Sequence, residues 1–190
     1  MNSKISTVIA FATLSLTAFG AATQDKPSDN NPMVGGASMM RSMDIVGNAV
    51  NSPDHTTLVA AVKAAGLVEA LQGKGPLTVF APTNAAFKLL PDGTVDTLVK
   101  PENKDTLTKI LTYHVVGGLY DTKALKAGIR KGNGTFMLKA LNGGTLTFAM
   151  NGPMNIVVRD EEGGTASIST YDVYQSNGVI QVIDKVLMPN

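Results

Sequence analysis

The second half of the chain consists of short runs of β-branched and aromatic residues separated by turn dipeptides, and this pattern constrains the fold most strongly. The runs are TFMLKAL, TLTFAM, NIVVRD, TASISTYDVY and GVIQVIDKVLM, and several of them alternate apolar and polar residues. The dipeptides are Asn142-Gly143, Asn151-Gly152, Gly163-Gly164 and Asn177-Gly178. Such dipeptides are typical of tight hairpins, because asparagine and glycine tolerate positive φ angles. We therefore expect an antiparallel meander of strands beyond Gly134.

The first half of the chain has the periodicity and the capping residues of short helices. Asp44 is placed to cap a helix over IVGNAV. Asp54 is placed to cap a second helix over HTTLVAAVKAAG, which Gly66 would end in the left-handed conformation. These signals predict at least two helices before the first strand.

A strand over residues 77–80 is followed by Pro82, which cannot continue a central strand. Thr83 is placed to cap a helix through Leu89. Because the helices of the first half need a partner for their apolar faces, they have to cover a face or an edge of the meander. The pattern predicts the α+β fold class.

A longer helix is predicted over PENKDTLTKILTYH, with Pro101 at its first position. Leu107, Ile110 and Leu111 recur at helical spacing, and His114 follows on the same apolar face. A buried imidazole has to pair both ring nitrogens or lose the free energy of its hydration. We therefore expect His114 to be neutral, to bond backbone or hydroxyl groups, and to tie this helix to the strands.

The first residues have the composition of a secretory signal peptide. Lys4 precedes an uncharged, mostly apolar run over residues 5–19, and small residues such as Ala22 follow it at a plausible cleavage site. The run is shorter than the roughly 20 apolar residues that a bilayer-spanning helix needs, so a membrane anchor is the less favoured interpretation. We predict a signal peptide over residues 1–22.

The stretch that follows has few large apolar groups and many turn formers, which predicts a flexible leader over residues 23–39. The folded domain is then predicted over residues 40–190. An exported chain of this kind is expected to be secreted or periplasmic, at or near the cell surface, with no stable membrane insertion after the signal is cleaved.

The composition excludes several classes of function. The chain has no cysteine, which excludes disulfides, thiol catalysis and thiolate metal sites. Its formal net charge is +1, and we identify no cluster of lysine and arginine, so nucleic acid is not an expected partner. We also identify no basic amphipathic segment suited to a membrane surface.

No set of residues has the spacing of a known catalytic site. His55 and His114 are the two histidines, and the chain has neither a G-x-S-x-G turn nor a phosphate-binding loop. A serine-type hydrolase would have to unite one histidine with a nucleophile and a carboxylate, and it is our third hypothesis. Asp160, Glu161 and Glu162 precede two glycines and are interpreted as a solvated hairpin tip. We predict that the protein is not an enzyme and has no cofactor.

Methionines gather near the start of the predicted domain. Met33, Met39, Met40 and Met43 precede His55, and thioethers with an imidazole suit Cu(I). The interpretation we favour is that these side chains fill irregular gaps in the packing. We therefore predict no metal site, and we place His55 near the surface at the start of a helix.

Three segments occur in the order and approximate spacing of the fasciclin domain, which the chain resembles from about residue 40 to residue 190. The segments are TVFAPTNAAF (78–87), ILTYHVV (110–116) and NGVIQVIDKVLMP (177–189). The resemblance looks greatest to single-domain, exported bacterial members. It implies a compact antiparallel β-sandwich or wedge with the helices of the first half packed along it. It also implies that the first and last segments form neighbouring central strands.

The resemblance also singles out individual residues. The positions that match the structural motifs of the family are Thr78, Phe80, Pro82, Thr83, Asn84, Phe87, His114, Asn177, Gly178 and Asp184. Tyr113 and His114 match a Tyr-His pair that has been linked to integrin binding in some animal members, and they are the candidate partner-binding residues. The chain has no Arg-Gly-Asp sequence, so integrin recognition itself is not carried over.

For function, the resemblance implies binding without catalysis. We expect a protein that mediates cell adhesion or contact with the cell surface or matrix, with a cell-surface or matrix protein or a polysaccharide as its partner. Some members of the family are reported to hold pigments, and the methionine and aromatic content suits an apolar groove. A carrier of a small apolar ligand is therefore the alternative.

Overall fold

The computed structural model describes residues 31–190, so the predicted signal peptide and most of the predicted leader lie outside the described residues. The helices are α1 (Ile45–Asn51), α2 (Thr56–Ala65), α3 (Val68–Leu71), α4 (Asn84–Phe87), α5 (Thr94–Leu98), α6 (Lys104–Tyr113) and α7 (Thr122–Lys131). The strands are β1 (Met33–Val34), β2 (Ala37–Ser38), β3 (Leu77–Pro82), β4 (Val115–Gly117), β5 (Thr135–Lys139), β6 (Thr145–Asn151), β7 (Asn155–Arg159), β8 (Thr165–Gln175) and β9 (Gly178–Ile183). Within this part of the chain, no helix has both the length and the hydrophobicity to cross a bilayer.

One sheet of seven strands has the order β4-β3-β9-β8-β7-β6-β5. Strands β5 to β9 form the predicted antiparallel meander, whereas β3 and β9 run parallel as neighbours. Val116 on β4 bridges to Ala140 after β5, and the amide of Leu141 donates to the carbonyl of Val115 over 2.8 Å. The two ends of the sheet therefore meet, and the predicted α+β wedge is confirmed as a near-barrel.

The central strands β3 and β9 separate two apolar cores. Val79 and Ala81 on β3 face the core covered by α1, α2, α3 and α6, whereas Phe80 faces the core beneath α7. The ring of Phe80 packs against that of Phe148, with the centroids 5.1 Å apart. Because side chains alternate across a strand, each central strand supplies both cores and is buried on both faces.

The packed part of the chain begins before the boundary predicted at residue 40. Strands β1 and β2 form a small hairpin, and Val34 and Met39 are buried in the core under α1 and α2. Two well-placed apolar side chains are enough to extend that core, although the stretch as a whole has the composition of a leader.

Three of the predicted caps are confirmed. Asp44 accepts a hydrogen bond from the amide of Gly47 over 2.7 Å, and Thr83 accepts one from the amide of Ala86 over 3.2 Å. Gly66 ends α2 in the left-handed conformation, with a φ of 74°. These caps were predictable because each one involves residues close in sequence.

The prediction that Asp54 caps α2 is wrong. Residues Pro53–His55 form a 3₁₀ turn, so α2 begins after it and no side chain caps it. This turn directs His55 inward, where it is 3% exposed, and the predicted surface position is wrong as well. Helix α4 ends at Phe87 rather than at Leu89.

Gly178 is the first residue of β9 and pairs with Leu77 on the neighbouring strand β3. A Cβ at this position would lie 2.0 Å from the carbonyl oxygen of Leu77. The φ of Gly178 lies outside the left-handed region, so a hairpin turn with positive φ is the wrong reason for this glycine. The close approach of the neighbouring backbone is what requires it.

Gly178→Ala is therefore expected to destabilise the domain by roughly 3 kcal/mol or more, because β3 and β9 have to separate. The control is Gly117→Ala on β4, where nothing lies within 4 Å of a Cβ. That change is expected to shift stability by less than about 1 kcal/mol. Urea unfolding followed by circular dichroism measures both, and equal midpoints for the two variants would contradict the assigned role of Gly178.

Candidate functional site

The candidate partner-binding pair lies at the corner where α6 ends and β4 begins. Tyr113 is the last residue of α6, and His114 is its C-cap. The exposed fractions of Tyr113 and His114 are 0% and 3%. Neither side chain is part of a surface that a partner can touch in this conformation.

The ring of His114 joins its own helix to residues 187–190, which we call the C-terminal strap. Its Nδ1 lies 2.8 Å from the carbonyl oxygen of Ile110, and its Nε2 accepts a hydrogen bond from the amide of Leu187 over 3.0 Å. Because a carbonyl only accepts and an amide N–H only donates, these partners assign the neutral ring with its proton on Nδ1. The predicted buried and backbone-bonded imidazole is confirmed, although its ring bonds the strap rather than a strand. The strand is reached by the backbone carbonyl of His114, which accepts from the amide of Phe80 over 2.9 Å.

Tyr113 fixes the other side of this corner. Its hydroxyl donates to the carbonyl of Thr145 over 2.8 Å and accepts from the amide of Glu161 over 3.0 Å. Burial raises the pKa of Tyr113 to about 12; the amide of Glu161 opposes the rise, and the charges of Glu161 and Asp160 add to it. Gly144 makes room for the ring, since a Cβ there would lie 2.8 Å from it. One hydroxyl thus joins α6 to two turns of the meander.

The prediction of a solvated hairpin tip is wrong for Asp160. This residue is 9% exposed, and its Oδ2 accepts a hydrogen bond from the amide of Met188 over 3.0 Å. Its Oδ1 is buried and has no hydrogen-bond partner among the described residues. The adjacent Glu161 is exposed, but its Oε1 accepts from the amide of Thr145 over 2.9 Å. The carboxylates of the turn between β7 and β8 therefore accept hydrogen bonds from backbone amides of the strap and of β6.

Protonation of His114 would break its contact with the strap. Burial lowers the pKa of His114 from 6.5 to about 4, and the carbonyl of Ile110 and the charge of Asp160 oppose this shift without cancelling it. An imidazolium carries a proton on both nitrogens, so Nε2 would face the amide of Leu187 donor to donor. The folded-state pKa lies below the unfolded value. The contribution of His114 to stability is therefore present above pH 6.5 and is lost as the pH falls towards 4.

Among the other motif residues, Asn177 joins the most elements. Its Oδ1 accepts from the amide of Ile45 over 3.0 Å, and its Nδ2 donates to the carbonyls of Leu71 and Gly73 over 2.8 and 3.1 Å. This one amide connects the start of α1 and the end of α3 to the start of β9. Loss of the side chain would leave several backbone groups without partners, which marks Asn177 as a structural residue.

Asn84 and Thr78 have similar roles. Asn84 accepts from the amide of Thr57 over 3.0 Å and so connects α4 to α2. Thr78 donates to the carbonyl of Gly118 over 2.7 Å and accepts from the amide of Tyr120 over 2.8 Å. Both residues bond backbone groups far away in sequence.

The remaining motif residues are also part of the scaffold. Asp184 accepts from the amide of Ser167 over 2.7 Å beside β8. Phe80 and Phe87 pack in the two cores, and Pro82 ends β3. The motif residues therefore stabilise the fold through contacts between its elements, and they do not form a reactive site.

Two sets of buried polar contacts were not predicted from the sequence. Asn48 on α1 donates to the side chain of Gln175 on β8, and both are buried. Gln181 on β9 donates to the carbonyl of Tyr120 over 3.2 Å and to the carboxylate of Asp172 over 2.8 Å. The signal for Gln181 was its position in the middle of the apolar run GVIQVI, where a polar side chain needs buried partners.

An apolar cavity of about 70 Å³ lies between the first helices and the central strands. The residues around it include Met39, His55, Leu58, Val62 and Ile180. The Nδ1 of His55 pairs with the hydroxyl of Ser52 at 2.9 Å, whereas its Nε2 is buried without a hydrogen-bond partner among the described residues. Burial lowers the pKa of His55, and the carbonyl of Ala81 and the charge of Asp54 oppose this shift.

The clustered methionines lie in different environments. Met39 is buried, whereas Met33 is 59% exposed and Met40 is 47% exposed. The prediction that these side chains fill gaps in the packing is therefore confirmed for Met39 and wrong for Met33 and Met40. In residues 31–190, no three side chains of histidine, aspartate or glutamate are grouped so that they could hold a metal.

Helix α7 is a ten-residue basic amphipathic helix. It contains Lys123, Lys126, Arg130 and Lys131 and no acidic residue. The statement that the chain lacks a cluster of lysine and arginine is therefore wrong. A basic amphipathic segment is present too, but its apolar side is buried in the core and is not free for a membrane surface. The signal was a spacing of three and four residues, which places Lys123, Lys126 and Arg130 on one side of a helix.

Comparisons with known proteins agree with the fold. A family model described as "Fasciclin domain" matches residues 53–189. The chain is 43% identical over 187 residues to "Protein sll1483" of Synechocystis sp., with 96% of each chain covered. It is 36% identical over 166 residues to "Cell surface glycolipoprotein MPB83" of Mycobacterium bovis, covering 84% of this chain and 67% of that protein. The solved FAS1 domain pair of the insect cell adhesion molecule Fasciclin I is similar in fold, with a TM-score of 0.69 and 18% identity over 78% of this chain and 52% of that one.

His114→Ala is expected to destabilise the domain by about 2–4 kcal/mol at pH 7.5, because it leaves a cavity and an unpaired amide at Leu187. The variant should also lose less stability than the wild type between pH 6.5 and pH 4, since the proton uptake that His114 couples to unfolding is gone. Urea unfolding across this pH range measures both effects. Gly117→Ala, which leaves both histidines in place, is the control and should give a curve parallel to that of the wild type. A His114→Ala curve parallel to that of the wild type would contradict the assignment.

Proposed function

Because the chain belongs to the fasciclin domain family, we propose that it is a secreted or periplasmic protein that mediates cell adhesion or contact with the cell surface or matrix. It binds a protein or a polysaccharide and does no chemistry on it. The observation that carries this proposal is the family match over residues 53–189, together with a fold shared with a cell adhesion molecule. The predicted signal peptide over residues 1–22 and the leader that follows are part of the proposal, since they supply the route of export.

The burial of both imidazoles supports binding rather than catalysis. A general base has to come within hydrogen-bonding distance of a proton on the substrate. His55 and His114 are each 3% exposed, and both have ring nitrogens engaged within the protein. The third hypothesis, a serine-type hydrolase, finds no accessible histidine among the described residues.

We assign Tyr113 and His114 an indirect part in partner binding. Tyr113 holds the turn that contains Glu161, and His114 holds the C-terminal strap. Both segments present residues to solvent, whereas the pair itself does not. The pair therefore acts on binding through the shape of the surface around it.

Deletion of the gene is expected to reduce attachment of the source cells to surfaces and to one another, and expression of the intact chain should restore it. Retained biomass and aggregate size are the measurements. A chain with Gly117→Ala should restore attachment, and a chain with Gly178→Ala should not, because only the second change disrupts the sheet. Unaltered attachment and aggregation in the deletion strain would count against the proposal.

A carrier of a small apolar ligand is the second candidate, and the cavity under α1, α2 and α3 is the observation in its favour. Pockets for drug-sized ligands have volumes of roughly 300–1,000 Å³. The cavity has only about 70 Å³, so it suits a ligand of a few non-hydrogen atoms. A pigment would require the first three helices to move away from β3 and β9.

If the protein is a carrier, native mass spectrometry of protein purified from its source is expected to show extra mass that an organic solvent releases. Val62→Trp should abolish the extra mass, because Val62 lies at the cavity wall. Val50→Trp is the matched control, since Val50 is 51% exposed on α1. The mass of the chain alone in the wild type would remove this candidate.

A further inference from the structure

Helix α7 concentrates positive charge in a protein that is otherwise acidic. The chain has 16 lysines and arginines and 15 aspartates and glutamates, and four of the cations lie on α7, which has no acidic residue. The rest of the chain therefore has 12 cations against 15 anions, a net charge of −3. Positive charge is therefore concentrated on one helix, although the net charge of the whole chain is close to zero.

The cations project away from the core. At about 100° of rotation per residue, Lys123, Lys126 and Arg130 fall within roughly 60° of arc. Leu125 and Ile129, which are 0% and 3% exposed, lie on the side of the helix that faces the core. We call the side with Lys123, Lys126 and Arg130 the cationic face; Lys123 and Arg130 are exposed, and Lys126 is half-buried.

Close packing fixes the orientation of this face. A Cβ at Gly128 would lie 2.6 Å from the ring of Phe136, so the glycine allows α7 to lie directly on β5. The side chain of Asp121 caps the first turn by accepting from the amide of Ala124 over 2.8 Å. The helix is therefore held at its start and along its inner side, and the cationic face stays exposed.

Helix stability does not account for these charges. Lys123 lies in the first turn, where a cation opposes the helix dipole. Lys126 and Arg130 are four residues apart, and like charges at this spacing destabilise a helix by a few tenths of a kcal/mol, roughly. Only Arg130 and Lys131 lie in the last turn, where a cation is favourable.

An open depression of about 360 Å³ lies beside the cationic face. It is lined by Lys126, Ile129, Arg130, Gly134 and Met150. Two cationic groups next to apolar side chains match the chemistry of an acidic sugar, which has a carboxylate or sulfate and an apolar face of ring C–H groups. A guanidinium can bind such an anion through two parallel hydrogen bonds.

We propose that the cationic face and this depression bind an acidic polysaccharide that bears carboxylate or sulfate groups. The inference rests on the proposed function and names the class of its partner. A membrane is the less suitable partner, because the apolar side chains of α7 are committed to the core and are not free to enter a bilayer. Single-stranded nucleic acid is disfavoured because α7 has no aromatic residue on which a base could stack.

The test measures binding of the purified chain to alginate and to heparin by biolayer interferometry, with neutral dextran as the control polymer. The wild type is expected to bind at least one of the two acidic polymers, and to bind more weakly as salt is added, because salt screens exposed charges. Lys126→Glu with Arg130→Glu should lower the affinity by about tenfold or more. The matched control is Lys88→Glu with Lys100→Glu, which changes the net charge equally at two exposed side chains and should change the affinity by less than about twofold.

Circular dichroism and urea midpoints confirm that both double variants are folded. Equal losses in the two variants would overturn the inference, because attraction to net charge alone would explain the binding. Stronger binding to vesicles of phosphatidylglycerol and phosphatidylcholine than to either polymer would overturn it in favour of a membrane partner. If the chain binds neither polymer and still restores attachment in the deletion strain, this inference fails and the proposed function stands. If it does neither, both fail.

Discussion

The parallel contact between β3 and β9 is the constraint on which the rest of the structure depends. Residues 83–177 lie between the two strands in sequence, and a Cβ on Gly178 would lie 2.0 Å from the carbonyl oxygen of Leu77 on β3. Everything between them has to wrap around this pair. Because both faces of the pair are buried, there are two cores, one under the helices that precede β3 and one under α7. The meander and the helices are arranged by this single long-range pairing.

Buried polar side chains hold the wrapped segments in place. Asn177, Tyr113 and His114 each bond backbone groups that no helix or strand pairs, and each joins elements that are distant in sequence. These side chains contribute to the free energy of unfolding mainly because, without them, such groups would be buried and unpaired. Through this dependence, a change at the buried Tyr113-His114 pair alters the position of exposed residues around it. It also makes the C-terminal strap sensitive to the protonation of a single imidazole.

The residues that hold this fold together are therefore different from those that it exposes to solvent. The motif residues that the family resemblance singles out make internal contacts, so the proposed partner binding is assigned to other side chains, which are exposed to solvent. Helix α7 has several of them, since its inner side completes a core and its outer side presents cations. A rigid frame with a charged outer helix suits an adhesion module that binds an extended, repeating anionic polymer.

The sequence by itself determined what is local. The turn dipeptides and alternating runs determined the meander, and the caps at Asp44, Thr83 and Gly66 determined three helix ends, because each involves residues a few positions apart. The family resemblance supplied the pairing of β3 with β9, which periodicity does not reveal. Only the tertiary structure decided that His55 and Asp160 are buried, that the sheet closes at Val116 and Ala140, and that α7 turns its cations outward. These features depend on contacts across long stretches of chain, such as the bond from Ile45 to Asn177 across 132 residues, and no local pattern specifies which distant groups will meet.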